Sequence, residues 1–328
     1  MEWDGQIDVL DLILIWLLVE SQKGSESKFA GYISSLPLES THPLSVPKEQ
    51  WELLPGQTRV ELKKDYEELL TRFERIKSVQ KSTCVSIINN LTLTKFKWAY
   101  WVIRSRWVAC YDYDTRNIDK RWLLIGTDKD NGALCPWFDM FNHSESGANV
   151  SYNYVAEKGM IMKCITDIRQ GDEIFISYGG RPDDDMFLDY GFAPGDNEES
   201  YILFTLEELI PHLWRQFGLK NKQVSNLDQY EQRRFRLYQA GIGYELETFL
   251  MKLTKNMNPF DCEQKCLEFL VSICRQKIKK LDRLEKIEVN DNFYDFWCSA
   301  KRLRKIHRSI LQTSIDVYIK RIELQTRL

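Results

Sequence analysis

The apolar pattern of this chain changes character twice, and that order constrains the fold more than any other feature. Up to Trp107, apolar residues recur at three- and four-residue steps, the spacing of helices. From Leu123 to Tyr178 the pattern breaks into short strand-like pieces with turn residues between them. From Leu206 onward helical spacing returns. A chain of this kind is α+β, with its strands gathered in one central stretch.

Within the first stretch, residues 8–21 are apolar nearly all round and predict a buried helix ended by Gly24. Pro37, Pro43 and Pro47 break the segment that follows, and Pro47 with Lys48, Glu49 and Gln50 signals a new helical start. Residues 58–79 carry Val60, Tyr66, Leu69, Leu70, Phe73 and Ile76 at helical steps and predict an amphipathic helix. Thr92 to Trp107 predicts another, with Phe96, Trp98, Tyr100 and Trp101 as a core stripe. The segment Asp112 to Lys120 reads as a polar loop. Asn149–Tyr154 and Met160–Ile165 flank Glu157-Lys158-Gly159, which is a hairpin signal. Arg169-Gln170-Gly171-Asp172 is a turn, and Glu173–Ser177 reads as a strand. Pro194-Gly195-Asp196-Asn197 marks a boundary. The helices then expected are 227–254, 260–286 and 292–326, with Leu267, Leu270, Cys274, Ile278 and Leu281 on one buried face.

Composition narrows the class. With 43% apolar and 12% aromatic residues, the 328-residue chain can build a large core. A net charge of −3 and a pI near 6.0 give no sign of a phosphate-binding surface. The eight cysteines include no Cys-x-x-Cys pair, and Cys262-x-x-x-Cys266 lacks a second pair of ligand spacing, so no metal site is expected. Free thiols point to a reducing compartment, cytoplasmic or nuclear. The apolar run Val9–Val19 is too short to span a bilayer and contains Asp11. Lys301-Arg302-Leu303-Arg304-Lys305-Ile306-His307-Arg308 is basic, but its spacing with Ile310 and Leu311 reads as a solvated helix face rather than a nucleic-acid patch.

Three short segments carry the chemistry: Asp139-Met140-Phe141-Asn142-His143-Ser144, Gly171-Asp172-Glu173-Ile174-Phe175-Ile176-Ser177-Tyr178-Gly179, and Asp189-Tyr190-Gly191-Phe192. An isolated Tyr178 would read as a half-buried strand tyrosine, and an isolated His143 as a satisfied structural histidine. Together the segments resemble the C-terminal half of the SET domain, the fold of S-adenosylmethionine-dependent protein lysine methyltransferases, in its rubisco large-subunit branch. The resemblance covers nearly the whole chain.

That resemblance implies a protein-lysine N-methyltransferase with S-adenosyl-L-methionine as cofactor and a lysine-bearing protein, histone or non-histone, as partner. Tyr178 would be the catalytic tyrosine. Asn142, His143 and Phe192 would contact the cofactor. Tyr190 would wall the lysine channel, with Arg106, Asp139 and Tyr152 beside it; for Arg106 and Asp139 a plain salt bridge is an equal reading. A second arginine expected four residues after Arg106 is replaced by Cys110. Tyr190 sets the chain apart from histidine-methylating relatives. Physically, such an enzyme must deliver a neutral amine in line with an activated methyl. A free lysine has a pKa of about 10.4, so the channel must disfavour its ammonium by desolvation.

The implied organisation is a SET-type β-fold over 1–195 with a helical insert at about 45–110, followed by an all-helical domain over 196–328 that binds substrate or a partner. The family pattern also includes an N-terminal strand pair with a Gly-x-Gly turn, expected ahead of the helix at Leu10 and not found in this sequence. A truncated form of an active enzyme is therefore expected. The alternative is a catalytically impaired SET-like scaffold that binds proteins.

Overall fold

The computed structural model describes residues 7–38, 42–82, 91–109, 132–155, 158–195, 197–217, 234–240, 243–254, 259–287 and 291–326. Cys110, the loop 112–120 and the first strand-like pieces after Leu123 lie outside the described residues. The chain forms two compact units. One comprises Met1–Pro47, Glu61–Gly180 and Phe187–Phe192; the other comprises Lys48–Val60, Arg181–Met186 and Ala193–Leu328.

In the first unit, helix α1 (Val9–Lys23) starts with a reciprocal cap: the Asp8 carboxylate accepts from Asp11 N–H at 2.9 Å, and Asp11 accepts from Asp8 N–H. Leu14, Leu17 and Leu18 are buried, whereas Val9 and Leu12 are exposed, so α1 is one-sided rather than buried all round. Its buried Asp11 is held by Arg72 at 2.8 Å and Arg75 at 2.6 Å. Helix α2 (Ala30–Ser35) is short. Both arginines come from α3 (Gly56–Ser82), which buries Leu62, Leu69, Phe73 and Ile76 while Val60 faces out. Helix α4 (Leu93–Arg106) is capped by Thr92 and buries Phe96, Tyr100 and Trp101. The Phe73 and Phe96 rings lie 5.4 Å apart, so the aromatic stripe is core.

The strands follow at once. β1 (Trp107–Ala109) pairs antiparallel with β2 (Gly132–Leu134). β3 (Asn142–His143) is two residues long. β4 (Val150–Val155) and β5 (Gly159–Cys164) form the expected hairpin, with Tyr152 opposite Met162 and Gly159 in the left-handed region. β6 (Phe175–Ile176) pairs in parallel with β3, Asn142 opposite Phe175 and His143 opposite Ile176. The strand expected over Glu173–Ser177 shrinks to two residues because the Asn149 side chain replaces part of the ladder. Its amide donates to the Glu173 carbonyl and its carbonyl accepts from Phe175 N–H, both at 2.9 Å. Among the described residues no strand precedes β1, so the strand pair with a Gly-x-Gly turn has no counterpart there. Helix α5 (Asp183–Tyr190) ends at Gly191, whose φ of 87° no side chain adopts readily.

In the second unit, β7 (Tyr201–Thr205) pairs antiparallel with a later strand, β8 (Arg234–Tyr238), and α6 (Leu206–Phe217) follows β7 directly. α7 (Tyr244–Leu253), α8 (Pro259–Leu284) and α9 (Tyr294–Gln325) complete the described elements, with α8 packed along α9. This corrects the all-helical expectation: residues 234–238 are a strand, not the start of a helix. Ile202, Phe204, Phe235 and Leu237 alternate onto one sheet face and share a core with Leu267, Leu270, Cys274 and Leu281. The basic run on α9 is partly internal rather than a wholly solvated face. Arg304 is buried and donates to the Leu53 carbonyl at 2.6 Å, and buried His307 meets Asp184 at 2.7 Å. Among the described residues no helix is long and apolar enough to cross a membrane.

Candidate functional site

Tyr178, Asn142, His143, Tyr190 and Phe192 come from three segments of the first unit, and the short parallel pair β3–β6 joins the first two. Because His143 lies opposite Ile176, its ring reaches the second residue after β6. Tyr178 N–H donates to His143 Nδ1 at 3.0 Å, which makes that nitrogen the acceptor. Ser144 N–H donates to the Ile176 carbonyl at 3.1 Å and extends the pairing. Gly179, with φ of 95°, then turns the chain away from Tyr178.

Four rings cluster here. Tyr178 lies 5.0 Å from His143 and 4.7 Å from Tyr190, centroid to centroid. Phe192 lies 6.2 Å from both His143 and Tyr190. Tyr190 is the last residue of α5, and the left-handed Gly191 folds Phe192 back toward it. All four rings are half-buried. Such a cage presents aromatic faces that attract a cationic centre.

The Tyr178 hydroxyl donates to the Phe141 carbonyl at 2.7 Å. Burial, and Tyr190 beside it, push its pKa up to about 12. The phenol is therefore neutral at physiological pH.

Asp139 and Arg106 also meet. The Arg106 guanidinium donates to the Asp139 backbone carbonyl at 2.6 Å and to Met140 Sδ at 3.5 Å. The Asp139 side chain is completely buried, and burial raises its carboxyl against the opposing pull of Tyr32 and Arg106. Tyr152 stacks edge-on against Phe138 at 4.8 Å, and Phe138 belongs to the small core on which Tyr178 packs. The structure thus gathers the rings of Tyr178, His143, Tyr190 and Phe192, whereas Arg106 and Asp139 face each other rather than open space and the Asn142 amide turns to Glu173.

Asn142 is exposed, and its amide donates to Glu173 at 2.6 Å. The Ser144 hydroxyl accepts from Gly147 N–H at 3.0 Å and caps the turn. Three contributors escaped the sequence reading. Glu173 and Asn149 lock the loop ahead of β6, and Tyr32, on α2, donates to the Asp139 carboxylate. Behind α5, Arg104 joins Asp189 to Asp65 and fixes the helix end that carries Tyr190.

Residues 32–179 match the SET domain family model. The curated protein "SET domain-containing protein 4" of Artemia parthenogenetica is 27% identical over 213 residues, which is 64% of this chain and 51% of that protein. The chain thus spans about half the length of that relative. A solved SET domain of LSMT bound to lysine and AdoHcy superposes with a TM-score of 0.62 at 14% identity, covering 96% of this chain and 76% of that one. Rubisco LSMT bound to sinefungin and monomethyllysine gives 0.65 at 15% identity, covering 96% and 75%. These likenesses establish the SET-domain fold, α+β as the periodicity implied.

Proposed function

We propose that this chain, which carries the SET-domain fold, transfers a methyl group from S-adenosyl-L-methionine to the ε-amine of a protein lysine. The observation that carries the proposal is the Tyr178 hydroxyl, anchored on the Phe141 carbonyl inside a cage of His143, Tyr190 and Phe192. The solved neighbours carry lysine, AdoHcy, AdoMet or sinefungin, which supports the same chemistry here.

The residues present fit the cofactor. Half-buried rings suit an adenine and a sulfonium, and the exposed Asn142 amide, held by Glu173, offers polar groups at the rim. Asn142, His143 and Phe192 would hold it. When bound, S-adenosylmethionine supplies a methyl already activated by the sulfonium.

The chain's own residues do the rest. Tyr190 and Tyr152 line the approach of the lysine, with Arg106 and the buried Asp139 paired to each other beside it. The rings desolvate its stem and favour the neutral amine, because burial penalises the ammonium. Tyr178, with its pKa near 12, is a weaker acid than a lysine ammonium at about 10.4. It is protonated whenever the lysine is, so it orients the amine lone pair as a neutral hydrogen-bond partner and is not the base that accepts the lysine proton.

The test is a radiolabelled methyl-transfer assay against fractionated lysate proteins, run with the wild type and Tyr178→Phe. Labelled protein lysine with the wild type, abolished in the variant, supports the proposal. Label that persists undiminished in Tyr178→Phe, or no label on any fraction, overturns it.

A further inference from the structure

We infer that Tyr32 is a positioning residue for Tyr178, acting through Asp139 on the turn that receives the Tyr178 hydroxyl. This rests on the methyltransferase reading for its consequence in turnover, but not for its structural content. Tyr32 and Asp139 are 107 residues apart in sequence, and the Tyr32 hydroxyl donates to Asp139 Oδ2.

The turn itself is short. Asp139 N–H donates to the Cys135 carbonyl at 3.0 Å, and Phe141 N–H donates to the Phe138 carbonyl at 3.3 Å. Two residues beyond Asp139, the Phe141 carbonyl accepts from Tyr178. Anything that moves Asp139 therefore moves the acceptor that aims the phenol.

The leverage of Tyr32 follows from burial. The Asp139 side chain is 0% exposed, and among the described residues its Oδ1 accepts no hydrogen bond. Arg106 Nη1 stands 3.9 Å from that oxygen, beyond hydrogen-bond reach, and its best contact is to the Asp139 backbone carbonyl at 2.6 Å. The Tyr32 phenol thus supplies a charge-assisted hydrogen bond to a carboxylate that water does not reach. Without it the carboxylate must find solvent or another donor, and the turn must shift to let it. Backbone strain marks the same turn: exposed Trp137 has φ of 77°, so its conformation is held by its surroundings rather than by local preference.

The experiment uses the full chain labelled with [ζ-13C]tyrosine, with the Tyr178 signal assigned from Tyr178→Phe. Tyr32→Phe removes one oxygen and keeps the ring, so it preserves packing. We expect it to shift or split the Tyr178 signal. Asp139→Ala should do the same, and the double variant should add nothing further, because both act through one contact. If the chain turns over as proposed, kcat of Tyr32→Phe falls roughly tenfold, the scale of one charge-assisted hydrogen bond, while KM for S-adenosylmethionine is unchanged. A Tyr178 signal unmoved in Tyr32→Phe, whether or not the melting temperature drops, overturns the inference. So do additive shifts in the double variant or an unchanged kcat. A wild type without turnover removes the methyltransferase reading and leaves the spectroscopic test in force.

Discussion

Replacing Arg104 by leucine tests how the end of α5 is held. The guanidinium reaches two carboxylates: Nε donates to Asp189 Oδ1 at 3.0 Å, Nη2 contacts the same oxygen, and Nη1 lies 3.1 Å from Asp65 Oδ2. The side chains of Arg104, Asp65 and Asp189 are 22%, 20% and 16% exposed. Breaking a buried pair costs about 3–5 kcal/mol, because the surviving charge stays desolvated. Here two carboxylates survive, but residual exposure screens them, which places the loss at about 3 kcal/mol. Urea unfolding of the first unit's signal measures it.

The same variant carries a pH signature. Burial already raises Asp65 in the intact protein, and Arg104 opposes the rise. Without Arg104 the Asp65 carboxyl loses the contact that opposes this rise, so its folded-state pKa climbs further above the unfolded value. Raised acids destabilise the fold at high pH and cease to do so once protonated. The deficit should therefore shrink as pH falls from 7 toward about 4. Asp65→Asn in the Arg104→Leu background should recover about 1 kcal/mol by removing one unpaired charge. A deficit below about 1 kcal/mol at pH 7, or one that grows on acidification, would show that Arg104 does not hold this helix end.

Three further outcomes are expected. Gly191→Ala should lose about 1–2 kcal/mol, because φ of 87° is strained for any side chain, and it should weaken S-adenosylmethionine binding by displacing Phe192; calorimetry reads both. Glu173→Ala releases the exposed Asn142 amide, so thermal stability should change by less than about 0.5 kcal/mol while cofactor affinity falls. His307→Leu removes the partner of buried Asp184, to which Thr58 also donates, and should cost about 3 kcal/mol in the second unit with the Tyr178 ring signals unchanged.

Much of this architecture is legible in the chain because its signals are local. The β4–β5 hairpin follows from alternation around Glu157-Lys158-Gly159, and α8 from Leu267, Leu270, Cys274 and Leu281 on one face. β7 and β8 were missed although Ile202 and Phe204 alternate cleanly, because five-residue strands between helices carry little weight against helical spacing. The site divides the same way. Asn142-His143 and Tyr178 lie in contiguous motifs and can be read from them. Tyr32 cannot, since its meaning comes from a partner 107 residues away and its helix carries no motif. Val60 fits the helical stripe of α3 yet faces out at 50% exposure, while Leu62, outside the predicted stripe, is fully buried.

In the proposed reaction the ring cage holds S-adenosylmethionine and Tyr178 acts on the amine rather than on the cofactor's affinity. Calorimetric titration of S-adenosylmethionine into wild type, Phe192→Ala and Tyr178→Phe separates these roles. The wild type should show saturable one-site binding, Phe192→Ala at least tenfold weaker binding through lost ring contact, and Tyr178→Phe near-wild-type binding. No saturable heat with the wild type, or affinity lost in Tyr178→Phe but kept in Phe192→Ala, would contradict this assignment.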